Sequence, residues 1–333
     1  MIPLCLERYT SANLVINGTW WVGSYGGSRS TRACEAGTGV PQLCELGPFV
    51  GFRHSMDGGR HWSSPRGGGA ALSMRKTLFG EAPGDSIKIG APHVVDHGPE
   101  NRLSPDGKLY MTAMGCFAKS GVAANYNCSW ISGEQLHRPR SCSAPTPLPT
   151  PFDAMDALHA RHLLTRPAGD GIFLARADGF SASEPDSLND AKVWQFWCGE
   201  DCDLDGMEWT SDVARAKPVF SWPGRVGTVT ATWHAQMQRY LFAVTTPTTM
   251  PSTVGPYDTY VLEAPALTGP FRLVSYMPRF GQQAYFVSFP SRFLDGNTAL
   301  AVFSANFACK TGGCVPNIAG AGYGASLLPV QFR

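Results

Sequence analysis

The sequence predicts an all-β protein, and three observations support that prediction. Of the 333 residues, 37 are glycine and 26 are proline, whereas only 16% are charged, well below the roughly 25% usual in soluble domains. The apolar segments are short, rich in aromatic and β-branched residues, and bounded by turn-forming residues, as strands and hairpins are. Helical periodicity is confined to residues 152–164, where we expect one short helix.

The first hairpin is specified by its turn. Asn17-Gly18 lies between the apolar runs 14–16 and 19–22, and both turn residues accept the positive φ that a two-residue hairpin loop requires. Further strands are predicted along the chain at residues 49–54, 87–95, 108–113, 171–177, 193–197, 227–233, 239–245, 259–263, 271–277, 284–289, 299–303 and 327–332.

Residues 64–86 and 133–151 are predicted loops, and neither has the composition of a domain boundary. Successive groups of antiparallel strands without a helix after each strand favour a radially repeated fold over a βαβ layout. The sequence therefore predicts a single-domain β-propeller of about five blades over residues 1–333, with residues 327–332 closing the ring against the N-terminal strands.

The charge distribution argues against two classes of partner. The formal net charge is +1 and no run of like charges supplies a local field, so we expect no nucleic acid and no anionic membrane as partner. No stretch approaches the 18 consecutive apolar residues of a membrane span. We expect a monomer.

The chain contains ten cysteines, and their spacing is evidence for the cellular compartment of the protein. Cys34/Cys44, Cys116/Cys128, Cys198/Cys202 and Cys309/Cys314 would each close a short loop as a disulfide, which is usual in an oxidising compartment. Zinc is the alternative, but the spacings contain no Cys-x-x-Cys pair. Residues 1–8 lack the pattern of a signal peptide, so either the protein stays inside the cell or its leader is missing; the cysteines favour secretion.

One turn motif carries a resemblance to known proteins. Residues 55–62, Ser-Met-Asp-Gly-Gly-Arg-His-Trp, fit Ser-x-Asp-x-Gly-x-x-Trp at every defined position, and weaker echoes lie at 104–110 and 294–298. In such a turn a short acidic side chain bonds local amides, glycine permits positive φ, and the Trp is expected to pack back under the blade. Asp57, Asp106 and Asp295 are therefore expected to be turn residues and not catalytic ones.

The motif resembles the Asp-box of sialidase-like propellers, and Gly269-Pro270-Phe271 resembles a strand entry in arabinanase-like propeller enzymes. Residues 91–98 and 283–291 also resemble segments of secreted propellers thought to act on polysaccharides. These resemblances imply a glycan-active propeller with a carbohydrate partner. They leave the reaction open, because unrelated activities share this fold.

The densest titratable cluster is His93, Asp96, His97 and Glu100, with Asn101 beside it as a substrate-binding candidate. A histidine could serve as general base near neutral pH, and Glu100 or Asp96 could orient it or donate a proton to a leaving sugar oxygen.

Candidate substrate-binding groups occur along the rest of the chain. Bidentate guanidinium groups suit a sugar carboxylate, and four arginines lie in or beside different predicted strands, where a propeller could point them toward its channel: Arg53, Arg176, Arg225 and Arg292. The residue types of a sialidase are also present, although without a recognisable spacing, in Tyr257, Tyr285, Asp258 and Glu263.

Three reactions or roles stay open at this point. A glycoside hydrolase would use two carboxylates on opposite sides of the bond, and Asp96, Asp258 and Glu263 are the candidates. A uronate lyase would use an arginine with His93, His97 or Tyr285 to move protons. A non-catalytic glycan-binding propeller would share the fold and lack a working acid and base.

No cofactor is required by any of these alternatives. Asp201, Asp203 and Asp205 alternate in a Gly-turned loop that resembles a calcium site. A solvated acidic turn is the competing interpretation of the same residues.

Overall fold

The computed structural model describes residues 9–25, 49–63, 78–79, 87–99, 103–117, 169–181, 183–200, 202, 207–247, 256–282, 284–306 and 323–332. Within these ranges the chain is mostly β, in four antiparallel sheets that follow one another along the sequence. No helix in the described ranges is long and apolar enough to cross a membrane. The predicted helix at 152–164 and the loop at 133–151 lie outside the described residues, as does the loop at 64–86 apart from residues 78–79.

The first and second sheets take up the N-terminal half of the chain. The first sheet has the order β1 (Tyr9–Ile16), β2 (Thr19–Tyr25), β3 (Phe49–Ser55). The second contains β4 (Ile87–Val94), β5 (Leu109–Phe117), β6 (Gly169–Ala177), β7 (Trp194–Trp197) and β8 (Trp209–Thr210), with β9 (Phe220–Val226) paired to β6.

The third and fourth sheets complete the described chain. The third has the order β10 (Thr228–His234), β11 (Arg239–Pro247), β12 (Pro256–Ala264), β13 (Arg272–Gln282). The fourth has the order β14 (Tyr285–Ser288), β15 (Thr298–Asn306), β16 (Tyr323–Gln331). Short 3₁₀ turns lie at Pro185–Asn189, Ala191–Val193, Val213–Arg215 and Ser291–Phe293.

The first strand of each sheet lies beside the first strand of the next. β1 contacts β4, β4 contacts β10, and β10 contacts β14. Just past β4, Asp96 forms a parallel bridge to Thr232 of β10, so these strands run in the same direction. The first strands therefore form the inner face onto which the four sheets converge.

Three apolar cores fill the spaces between consecutive sheets. Trp21 and Phe52 of the first sheet pack with Phe173 and Trp194 of the second, and separate clusters join the second sheet to the third and the third to the fourth. Burial at about 25 cal/mol per Å² of apolar surface stabilises each contact between sheets. This face-to-face packing is how blades of a propeller associate, because each sheet buries one face against each neighbour.

The first hairpin has the predicted turn. Asn17 and Gly18 have φ of 50° and 78°, and Leu14 pairs with Trp21 in the expected register. Each of the other predicted strands overlaps an observed one.

Two strands were missed by the sequence analysis. β8 is only two residues long, and β9 contains Pro223-Gly224, a pair typical of turns. β9 tolerates this pair because it lies at the margin of the second sheet and pairs with β6 through only a few residues.

Residues 327–332 were predicted to close the ring against the N-terminal strands. They overlap β16, which pairs with β15 from Thr298 to Asn306. In the described part of the chain the N-terminal strand β1 pairs only with β2. Closure of the ring therefore stays a prediction.

The acidic turns at Asp57 and Asp106 have related side-chain bonding. Ser55 Oγ donates to Asp57 at 2.8 Å, and Ser104 Oγ donates to Asp106. Hydrogen bonds from His61 hold the pKa of Asp57 well below its usual range. Trp62 differs from expectation, because its indole donates to the Gly59 carbonyl and 39% of the residue stays exposed instead of packing under the sheet.

One predicted disulfide is confirmed. Cys198 and Cys202 are bonded and both are buried. The side chains of the other three predicted pairs lie outside the described residues.

Candidate functional site

Two irregular inner strands face each other where the sheets converge. The β4–β5 register shifts between Gly90 and His93, and Ala91 has φ of +46°. The β14–β15 register also shifts, and there Phe286 has φ of +53°. A bulge changes the direction of the side chains that follow it. Positive φ at a non-glycine residue costs about 1–3 kcal/mol, and residues strained in this way are found most often at functional sites.

His93 is the titratable side chain that these bulges present. Its ring centroid lies 4.8 Å from that of Phe286, at an interplanar angle of 53°. The Nε2 atom is buried and has no hydrogen-bond partner among the residues that the structure describes. Burial lowers the pKa of His93 to about 4, so the imidazole is neutral near pH 7 and one of its ring nitrogens can accept a proton.

His97 lies further along the same segment, at a cleft of about 130 Å³ between the first and second sheets. The Tyr240 hydroxyl is 3.5 Å from His97 Nδ1, and the rings of Tyr110 and Tyr240 pack edge-on against the imidazole. Its Nε2 atom is also buried, and no described residue bonds to it. Burial lowers the pKa of His97 to about 4, although Asp96 and Asp106 oppose that shift.

Asp96 is engaged in holding elements together. Its carboxylate accepts from Ser291 N and Oγ, both at 2.7 Å, and from Gly98 N at 3.0 Å. Its backbone bonds to Ala231 and Trp233 of β10. Asp96 therefore links β4 to the third and fourth sheets, and its lone pairs are largely occupied.

The predicted carboxylate pair is not assembled. Asp258 and Glu263 are five residues apart on β12, which puts them on opposite faces and about 16 Å apart along the strand. Glu263 forms an ion pair of 2.6 Å with Arg272, and Asp258 accepts from Tyr276 and from Arg279 N.

Asp96 is also distant from Glu263. Asp96 bridges to Thr232, which pairs with Leu241, and Leu241 pairs with Glu263. Asp96 and Glu263 are therefore three strand spacings apart, or about 14 Å. Carboxylates that act across one glycosidic bond lie about 5–9.5 Å apart.

The arginines of the predicted clamp are spread over four elements. The four side chains lie on β3, β6, β9 and the 3₁₀ turn Ser291–Phe293, outside the inner strands; they are Arg53, Arg176, Arg225 and Arg292. Arg176 packs 4.2 Å above the Trp209 ring, and its Nε donates to Gln195. Stacking and hydrogen bonding within the second sheet hold it away from the inner face.

The other predicted site residues are either fully covered or outside the described part of the chain. Tyr257 is only 1% exposed. Six other candidates lie outside the described residues or side chains: Glu100, Asn101, Tyr285, Asp201, Asp203 and Asp205. Over the ranges that the structure does describe, no three His, Cys, Asp or Glu side chains gather as metal ligands.

Phe286 and Tyr240 are the site residues that sequence reasoning missed. They come from the fourth and third sheets, whereas both histidines come from the second. Phe286 lies within a segment whose apolar pattern predicts only a strand, and no local signal places it against His93, 193 positions away.

Comparisons with known proteins identify no family. No protein-family model matches the chain, and no curated protein matches it. Solved structures that align with it include a complex of BT0996 with RGII, with TM-score 0.43 and 10% identity over 99% of this protein and 73% of that one.

Two GH43 enzymes also align. A GH43_1 enzyme from Xanthomonas citri has TM-score 0.33 and 12% identity over 98% of this chain and 88% of that one. The β-1,3-galactosidase BT3683 bound to galactodeoxynojirimycin has TM-score 0.32 and 13% identity over 97% and 90%. All three TM-scores are below 0.5.

Proposed function

We propose that this chain is a secreted, monomeric glycoside hydrolase that needs no cofactor and cleaves a poly- or oligosaccharide at the axis of a single-domain propeller of about five blades. The observation that carries the proposal is the pairing of His93 with Phe286 on facing inner strands. A neutral imidazole beside an aromatic ring offers a proton acceptor next to a surface that suits the apolar face of a sugar.

The proposed chemistry is hydrolysis with a histidine base. His93 takes a proton from the water that attacks the anomeric carbon, while Glu100 donates a proton to the leaving oxygen. Since burial lowers the pKa of His93 to about 4, the base form dominates above that pH. We therefore expect the acid limb of the rate profile to fall as the pH drops toward about 4.

A glycan-binding propeller without catalysis is the second candidate, and a specific observation favours it. The described carboxylates that were predicted for catalysis are all engaged, Asp96 by Ser291, Asp258 by Tyr276 and Glu263 by Arg272. A binding module needs no free acid and base, whereas a hydrolase needs both.

The experiment compares wild type with His93→Gln on a panel of neutral and acidic polysaccharides. Reducing ends and the absorbance of unsaturated uronates are followed together. The proposal expects reducing ends without new absorbance, and a loss of roughly 10²–10⁴-fold in kcat for His93→Gln because a general base is removed.

His61→Gln is the matched control, because that histidine is largely exposed on the Asp57 turn. It should retain wild-type turnover. Binding of a glycan without any turnover would establish the binding module instead, and a rise in both signals would establish a lyase.

A further inference from the structure

Tyr276 presents an aromatic ring at the surface of the third sheet. The residue is 48% exposed, whereas Tyr260 beneath it is only 7% exposed. The two rings are parallel within 8°, with centroids 4.7 Å apart. The stack therefore covers one face of the Tyr276 ring with protein and leaves the residue open to solvent.

A carboxylate fixes the orientation of this stack. The Tyr276 hydroxyl donates to Asp258 Oδ2 at 3.0 Å, and the Tyr260 hydroxyl donates to the same oxygen at 3.3 Å. Arg279 N donates to the other oxygen at 2.8 Å. A ring held at both its face and its hydroxyl loses little conformational entropy when it binds a ligand.

The Tyr260 ring is itself supported from another strand. Trp222 of β9 packs edge-on against it, with centroids 4.7 Å apart. An aromatic face held in this way matches the apolar face of a pyranose ring.

The stack lies away from the inner strands. β13 is the last strand of the order β10-β11-β12-β13, about 14 Å from β10 at three strand spacings. A sugar unit on Tyr276 would thus not compete for the space between His93 and Phe286.

We propose that Tyr276, supported by Tyr260 and Asp258, is an auxiliary binding site for a pyranose unit of a polysaccharide. The choice of a glycan as ligand rests on the proposed function. Asp258 acts here as a positioning residue for the two tyrosine hydroxyls, which gives this buried carboxylate a role other than acid–base chemistry.

The test measures binding and turnover separately. Wild type, Tyr276→Ala and Tyr276→Phe are run by affinity electrophoresis through soluble xylan, galactan, β-glucan and pectin, and turnover is assayed on short oligosaccharides. Tyr276→Ala should weaken polysaccharide affinity about five- to tenfold, the equivalent of one lost stacking contact. Tyr276→Phe keeps the ring and should stay within about threefold of wild type.

Leu327→Ala is the matched control, since Leu327 is exposed on β16 of another sheet. Three results would overturn the site. Tyr276→Ala could bind as well as wild type, Leu327→Ala or Tyr276→Phe could lose as much affinity as Tyr276→Ala, or wild type could bind none of the four polymers. Loss of binding in Tyr276→Ala with no turnover by wild type would support the site while removing the hydrolase proposal. Oligosaccharide turnover should be the same in Tyr276→Ala and wild type.

Discussion

At the residue scale, the buried histidines make the stability of the protein depend on pH. The pKa of His93 is about 4 in the folded protein and 6.5 is its ordinary value, so the unfolded chain binds the proton more readily. The stability contribution of neutral His93 is complete above about pH 6.5 and is lost as the pH falls from there toward 4. The lowering of the His93 pKa corresponds to at most about 3 kcal/mol in the free energy of unfolding.

We expect the free energy of unfolding of wild type to fall more steeply between pH 7 and pH 4 than that of His93→Gln. Urea unfolding at a series of pH values measures both slopes. His97→Gln should also make the free energy of unfolding depend less steeply on pH than in wild type, because burial lowers the pKa of His97 to about 4 as well. Parallel curves for wild type and His93→Gln would show that the ring is protonated without cost in the folded state.

At the element scale, one amide joins the first sheet to the second. Asn189 Oδ1 accepts from Phe52 N at 2.7 Å, and Asn189 Nδ2 donates to the Phe52 carbonyl at 2.9 Å. A Cβ at Gly51 would lie 2.8 Å from the same oxygen, so glycine is required for this approach. Trp21 adds a bond from its indole to the carbonyl of Pro185.

Asn189→Ala should lower the free energy of unfolding by about 2 kcal/mol, because two backbone groups of Phe52 lose their partner. Chemical denaturation measures the change. Lys192→Ala, on the exposed turn that follows, should stay within about 0.5 kcal/mol of wild type. An unchanged midpoint for Asn189→Ala would mean that water replaces the amide at no cost.

At the scale of the whole molecule, Asp96 ties sheets that are not neighbours in sequence. It lies just past β4 of the second sheet and accepts two hydrogen bonds of 2.7 Å from Ser291, 195 positions away in the fourth. Its bridge to Thr232 adds the third sheet. Asp96 therefore joins three sheets, the third through its backbone and the fourth through its carboxylate.

A double-mutant cycle tests that connection. Asp96→Ala and Ser291→Ala should each destabilise the fold, and the double variant should cost about 1 kcal/mol less than the sum, since each single change already removes the shared Oγ bond. Thermal and urea unfolding of the four proteins give the coupling energy. Additive costs would contradict a direct role of the Ser291 side chain in holding the sheets together.

The sequence alone determined the features that depend on neighbouring residues. The turn at Asn17-Gly18 was predictable because only a few residue types accept positive φ there, and the Ser55–Asp57 bond was predictable because its partners are two residues apart. Strand positions followed from alternation and turn residues, except at β8, which is only two residues long, and at β9, where Pro223-Gly224 concealed an edge strand.

Only the tertiary structure decided which residues meet. The sequence grouped His93, Asp96 and His97 as one cluster, but the bulges turn His93 toward Phe286, His97 packs against Tyr240, and Asp96 binds Ser291. Arg176 and the two carboxylates of β12 likewise bind partners within their own sheets. The reason is that strand register and the contacts between sheets set side-chain direction over hundreds of residues, whereas a sequence pattern reports only on its own few positions.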